Sequence, residues 1–266
     1  MHYLFEDQKN IQSRIGRKRL FLFLDYDGTL TPIVQTPQQA VLSHDIKTLL
    51  KRLTKKCDLA IISGRSLKDV KKKVGIKGIF YAGNHGWEIE GRGIRFKSRI
   101  VPRLKKVLQH IRDGLKSKLS GIKGVCVEDK GLSLSVHYRL ADKKDMGRIR
   151  NVFDEVTHSF LIRKKIKVGL GKKVFEVRPP LAWDKGTVVL WLLSAQKPIL
   201  KKGAPYPVYL GDDVTDEDAF KALKKKGLGI FVGRPKDSYA RFYLKGPHDV
   251  KKFLEQILVF CQKENV

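Results

Sequence analysis

The chain has 266 residues, 42% of them hydrophobic, with 23 Gly and 10 Pro, a length that buries a core without disulfides and a composition that excludes disordered, collagen-like and coiled-coil classes. Fifty-five Lys and Arg against 27 Asp and Glu give a net charge of +28, scattered in twos and threes (Lys71 to Lys73, Arg163 to Lys165, Lys224 to Lys226) without a basic tail or a zinc-finger or RNA-binding signature. Nucleic acid is therefore not the expected partner, although such a surface attracts a phosphorylated substrate.

In chain order, the apolar run Leu20 to Leu24 reads as a strand buried on both faces. A helix capped by Ser43 and running through Leu53 leads to the strand Leu59 to Ile62, one βαβ unit. A helix from Leu67 to Val74 and a short strand from Ile79 to Tyr81 follow, and Gly83 to Gly93 reads as loop and hairpin. From Pro102 the texture changes to a helix to Leu119, strands near 124–128 and 132–138, a helix from Asp142 to His158, and two strands at 166–170 and 173–177, closed by Pro179-Pro180. The α/β pattern then resumes with a helix from Lys185 to Ala195, strands at Val208 to Leu210 and Gly229 to Val232, and helices at Asp216 to Lys225 and Val250 to Phe260. The expected fold is α/β, a Rossmann-like parallel-sheet core with helices on both faces (residues 1–101 and 181–266) and an inserted α+β cap domain (residues 102–180). The insert is the more basic part, with 21 basic and 8 acidic side chains in residues 99–178. Cys57, Cys126 and Cys261 form neither a disulfide framework nor a metal knuckle, and no apolar run reaches the length of a membrane helix. A soluble, monomeric, cytoplasmic protein with no membrane partner is expected.

Four sites carry candidate chemistry. Asp25 and Asp27, in Asp25-Tyr-Asp-Gly-Thr29, are paired carboxylates at the end of a buried strand, and Gly28 and Thr29 offer backbone N–H groups to an anion. Ser63-Gly64-Arg65 ends the next strand, and Lys185 opens a helix. Asp212, Asp213, Asp216, Glu217 and Asp218 place five carboxylates in seven residues, which repel unless a cation is present. Each also has a purely structural reading: an acidic turn, a helix cap, a solvated lysine, and carboxylates capping a helix N-terminus.

Taken in order, the four motifs resemble those of haloacid-dehalogenase-like phosphatases. Gly83-Asn-His-Gly86, Glu128 to Arg139, Phe175 to Pro179 and Gly211 to Asp218 are similar to stretches of trehalose-6-phosphate phosphatases. The resemblance implies a Mg²⁺-dependent hydrolase of a small-molecule sugar phosphate. Asp25 would attack phosphorus to form an aspartyl-phosphate, and Asp27 would act as acid and base. Asp25, the Asp27 carbonyl and Asp212 would hold Mg²⁺, with Asp213 or Asp216 orienting its waters or Lys185, and Ser63, Gly64 and Lys185 would bind the phosphoryl oxygens. Glu128, Lys130 and Glu176 would bond sugar hydroxyls, with Arg65, Asn84 and His85 reaching in from the core. His137, Tyr138 and Arg139 either join them or brace the insert. The rival readings are a phosphatase for sucrose phosphate or a mannosyl-glycerate phosphate and, from the charge, a nucleic-acid-binding protein on a phosphatase fold.

Overall fold

The computed structural model describes residues 1–16, 18–98, 102–180, 183–196, 204–235 and 237–262. The elements run β1 (His2–Tyr3), α1 (Gln8–Ile15), β2 (Leu20–Leu24), α2 (His44–Leu53), β3 (Asp58–Ile62), α3 (Leu67–Val74), β4 (Phe80–Gly83), β5 (Glu88–Gly91) and β6 (Ile94–Lys97). They continue with α4 (Pro102–Leu119), β7 (Cys126–Asp129), β8 (Leu134–His137), α5 (Met146–Ile162), β9 (Lys167–Gly171) and β10 (Val174–Arg178). The last are α6 (Lys185–Gln196), β11 (Tyr206–Gly211), α7 (Glu217–Leu223), β12 (Leu228–Val232), β13 (Phe242–Leu244) and α8 (Pro247–Gln262). Two compact units result, Met1–Phe96 with Trp183–Val266, and Lys97–Ala182. Residues 101 and 181, where the sequence reading put the breaks, lie outside the described residues.

The first unit is built around β2, all five residues of which are buried. Leu20, Leu22 and Leu24 join one core cluster with Leu50, Leu53, Phe253 and Leu254, contributed by α2 and α8. Phe21 and Phe23, stacked at 4.1 Å, join a second cluster with Val188, Leu192, Phe220 and Leu223, from α6 and α7. A strand that alternates apolar side chains into two cores has no solvent face, hence its uninterrupted apolar sequence. α2 begins where Ser43 accepts the Ile46 N–H at 3.3 Å, and it buries Ile46, Leu49, Leu50 and Leu53, one helical stripe.

Among the described residues the first unit's sheet has nine strands in the order β1-β13-β12-β11-β2-β3-β4-β5-β6. β2 pairs in parallel with β3 on one side and with β11 on the other. The chain thus leaves β2 toward one edge and returns on the other, which opens a crevice at the carboxyl ends of β2, β3 and β11. Gly83 to Gly93 holds the expected hairpin: a 3-10 turn at Asn84–Gly86 leads into β5, which pairs antiparallel with β4. The sequence reading also missed α1, and β1 and β13, which extend the other edge.

The second unit is a four-stranded antiparallel sheet, β7-β8-β10-β9. Leu134, Val136, Phe175 and Val177 pack with Ile111, Leu115, Ile149 and Phe153 of α4 and α5, so the helices cover one face of the sheet. α5 starts at Met146, later than the predicted Asp142, because Asp142 instead caps a 3-10 turn by accepting the Lys144 N–H. Among the described residues no helix is long and apolar enough to cross a membrane.

Candidate active site

Asp25 continues β2 by one residue, its N–H donating to the Leu210 carbonyl at 2.9 Å, and the Ser63 N–H likewise donates to Ala82 at 2.9 Å. These ladder bonds fix both residues at the lip of the crevice. Asp212 follows β11 directly. A Cβ on Gly28, whose φ is +88°, would collide with the Asp212 carboxylate, and one on Gly211 would collide with that of Asp216. Glycine at both positions lets the acidic loops close on each other.

Lys185 reaches in from the first turn of α6. Its Nζ donates to Asp25 Oδ1 at 2.7 Å and to Asp216 Oδ1 at 2.6 Å, and the residue is 3% exposed, so the solvated-lysine reading fails. Among the described Lys and Arg residues only Lys185 and Arg65 are buried; the other Lys and Arg side chains whose burial is described lie at partly or fully exposed positions. Asp216 also accepts the Tyr209 hydroxyl at 2.6 Å on Oδ1, and the Asp212 and Asp213 N–H groups at 3.0 and 2.9 Å on Oδ2. Four donors fill the lone-pair sites of one carboxylate. Asp216 is thus committed to holding Lys185 and the loop.

Asp25, Asp212 and Asp216 bring carboxylate oxygens within 4.8 Å of one another, all three buried. Burial pushes the Asp25 carboxyl well above its ordinary range, against the pull of Lys185, and the charges of Asp216 and Asp212 push the same way. Burial disfavours the Lys185 ammonium, but Asp216 and Asp25 outweigh it and raise its pKa. Two of the three carboxylates, Asp25 and Asp216, share the one ammonium. The deficit of positive charge, the all-oxygen donor set and the Thr29 hydroxyl, buried with no hydrogen-bond partner among the described residues, fit a hard divalent cation. With Asp216 saturated by its four donors, Asp25 and Asp212 are the carboxylates that would hold it.

Two expected metal residues stand apart from this group. Asp213 Oδ1 accepts the Val214 N–H at 2.8 Å, a capping interaction, which is the structural reading of that carboxylate. Asp27 turns its side chain to Arg65, whose Nε and one Nη each donate at 2.7 Å to a different carboxylate oxygen; only its backbone carbonyl stays available to the expected role. Arg65 also binds Asp69 at 2.7 Å and the Pro37 carbonyl at 2.8 Å. Burial disfavours the guanidinium, but Asp27 and Asp69 outweigh it and raise its pKa.

Ser63 Oγ accepts the Arg65 N–H at 3.1 Å, and the cap of α3 is Ser66 rather than Ser63. Asn84 and His85 both adopt positive φ, 50° and 57°, a turn that lays the His85 ring where a Cβ on Gly64 would stand. In the second unit Glu128 accepts from His137 Nε2 at 2.8 Å, Glu176 is bonded by Arg178, and Lys130 Nζ lies 3.7 Å from Glu176 Oε1. Arg139 does not join them: its guanidinium donates to the Lys172 carbonyl at 2.5 Å, bracing the β9–β10 turn. The sequence reading missed Tyr209 and Asp69. A phenol hydroxyl at the centre of the apolar run Val208 to Leu210 was the available signal for Tyr209.

The family model described as trehalose-phosphatase matches residues 23–248. Trehalose-phosphate phosphatase B of Arabidopsis thaliana is 36% identical over 262 residues, covering 92% of this chain and 68% of that protein. The C-terminal domain of Candida albicans trehalose-6-phosphate phosphatase superposes with a TM-score of 0.84 at 25% identity, covering 95% of this chain and 97% of that one. A haloacid-dehalogenase-like hydrolase from Bacteroides thetaiotaomicron shares the fold, with a TM-score of 0.65 at 16% identity over 91% of this chain and all of that one. The residues from Phe23 to His248 that carry the buried strand, the lysine and the three carboxylates are those that the family model matches, and the chain belongs to the trehalose-phosphatase family of phosphoric monoester hydrolases.

Proposed function

We propose that this chain hydrolyses trehalose 6-phosphate to trehalose and inorganic phosphate, with Mg²⁺ as its cation. The observation that carries the reading is the Lys185 ammonium shared by Asp25 and Asp216 within a buried three-carboxylate group, a nucleophile oriented by a fixed cation beside room for a second. Asp25 Oδ2 attacks phosphorus in line with the leaving sugar oxygen, so that the P–O(sugar) bond breaks as the aspartyl-phosphate forms. Asp27, once it has taken up a proton clear of Arg65, gives it to that oxygen and regains one from the water that hydrolyses the acyl phosphate. To do so it leaves the Arg65 fork, which holds it in the resting state. Ser63, the Gly64 N–H and Lys185 donate to the phosphoryl oxygens, with Gly28 and Thr29 lining the same turn. Mg²⁺ held by Asp25, Asp212 and the Asp27 carbonyl would neutralise the phosphoryl charge that three carboxylates alone would repel.

The sugar falls to the second unit. Glu128, Lys130 and Glu176 bond the disaccharide hydroxyls. Phosphate release from trehalose 6-phosphate tests the reading: the wild type turns over with Mg²⁺ and stops after chelation, and Asp25→Asn is inactive. Turnover that persists in Asp25→Asn would contradict attack by Asp25, and no release from trehalose 6-phosphate would contradict the substrate.

A further inference from the structure

Strand register arranges the helix-free face of the second unit's sheet. Glu128 on β7 pairs with Ser135 on β8, Ser135 with Glu176 on β10, and Glu176 with Gly169 on β9, a single row across four strands. Alternation sends this row to the side opposite Leu134, Val136, Phe175 and Val177, which pack with the helices. Ser135 is the middle of the row. It is 1% exposed, and among the described residues its Oγ has no hydrogen-bond partner. A hydroxyl buried in that state costs stability and calls for an explanation.

The surroundings supply one. Lys130 follows β7 and Glu176 lies on β10, with β8 between them in the sheet, so the Lys130–Glu176 ion pair spans the strand that carries Ser135. At 3.7 Å it is longer than a hydrogen bond. Glu128 is anchored through Oε2 by His137 and Glu176 through Oε2 by Arg178, which fixes where the carboxylates stand. Two strand spacings separate Glu128 from Glu176, about 10 Å, the span of one pyranose ring with a hydrogen bond at each edge.

We propose that Ser135 Oγ is a sugar-hydroxyl contact, the floor of the disaccharide site, covered by the Lys130–Glu176 pair until sugar hydroxyls part it. The proposal rests on the trehalose 6-phosphate reading. Its test is Ser135→Ala. Removing an unpartnered hydroxyl leaves the melting temperature of the free protein unchanged or raised. The same change lowers kcat/KM for trehalose 6-phosphate about 5- to 150-fold, mostly through KM. Hydrolysis of an aryl phosphate, which has no sugar hydroxyls, stays within about twofold of wild type. Inhibition of that aryl phosphate turnover by free trehalose weakens by a factor similar to the loss in kcat/KM. A merely structural serine would move stability and both substrates together. Unchanged trehalose 6-phosphate kinetics, or parallel losses on both substrates, would overturn the proposal while wild-type turnover leaves the substrate reading standing. A wild type inactive on trehalose 6-phosphate but active on the aryl phosphate would remove both.

Discussion

Asp216 and Asp212 sit four residues apart in one acidic loop, yet replacing each with Asn should have opposite effects on the metal-free protein. Asp216 accepts from Lys185, Tyr209 and two backbone N–H groups. An Asn there presents one acceptor oxygen and one NH₂, so in either orientation a pair of donors meets a donor, and the Lys185 ammonium loses one of its two anionic partners. Breaking a buried charged pair on one side costs about 3 to 5 kcal/mol, a large fraction of the roughly 5 to 15 kcal/mol that stabilises a typical domain. At about 2 to 4 °C per kcal/mol for a chain of this size, Asp216→Asn should melt roughly 6 to 20 °C below wild type. Asp212→Asn instead removes a charge that pushes against Asp25, so its metal-free melting temperature should equal or exceed that of wild type. Calorimetry with and without Mg²⁺ completes the comparison. Mg²⁺ should raise the wild-type and Asp216→Asn melting temperatures by mass action and leave that of Asp212→Asn nearly unmoved. Equal destabilisation of the two variants in chelator, or an Mg²⁺ response retained by Asp212→Asn, would refute the division of the loop into one structural and one cation-binding carboxylate.

Three further outcomes are expected. Asp27→Asn should lose much more turnover on trehalose 6-phosphate, with its poor alkoxide leaving group, than on an aryl phosphate; equal losses in a two-substrate assay would remove its role as acid. Ala at Glu128, Lys130 or Glu176 should lower kcat/KM on the disaccharide phosphate about 5- to 150-fold and spare the aryl phosphate, and steady-state kinetics on both substrates would expose a purely structural role through parallel losses. A thiol reagent should label exposed Cys126 in the native protein, whereas Cys57, buried with its thiol pushed up by that burial, should react only on unfolding; mass spectrometry of the timed reaction separates them.

What could be read from the sequence follows from what side-chain pattern encodes. Leu20 to Leu24 followed by Asp25 announces a doubly buried strand ending in a carboxylate, because burial on two faces forbids polar alternation and function resumes where the strand meets the crevice. Lys185 was legible as a candidate but not as a buried residue, since its burial depends on Asp25 and Asp216, 160 and 31 residues away. The choice between Asp213 and Asp216 turned on a 3-10 turn at Val214–Asp216 that points one inward and leaves the other as a cap, a dihedral matter that composition does not carry. β1 and β13 are only two and three residues long, too short for periodicity to register. Ser135 was hidden for another reason. Its alternation in Leu-Ser-Val-His was readable, but that its neighbours across the sheet are Glu128 and Glu176 depends on strand order and register.

The central claim is that one buried constellation removes phosphate from a particular disaccharide phosphate. It is tested most directly by kcat/KM for phosphate release, with Mg²⁺, across trehalose 6-phosphate, a sucrose phosphate, a mannosyl-glycerate phosphate, glucose 6-phosphate and an aryl phosphate. The account predicts that trehalose 6-phosphate exceeds every other sugar phosphate by at least about tenfold, the worth of one or two sugar hydrogen bonds realised in the transition state. A panel turned over at equal rates, or one led by another sugar phosphate, would contradict it.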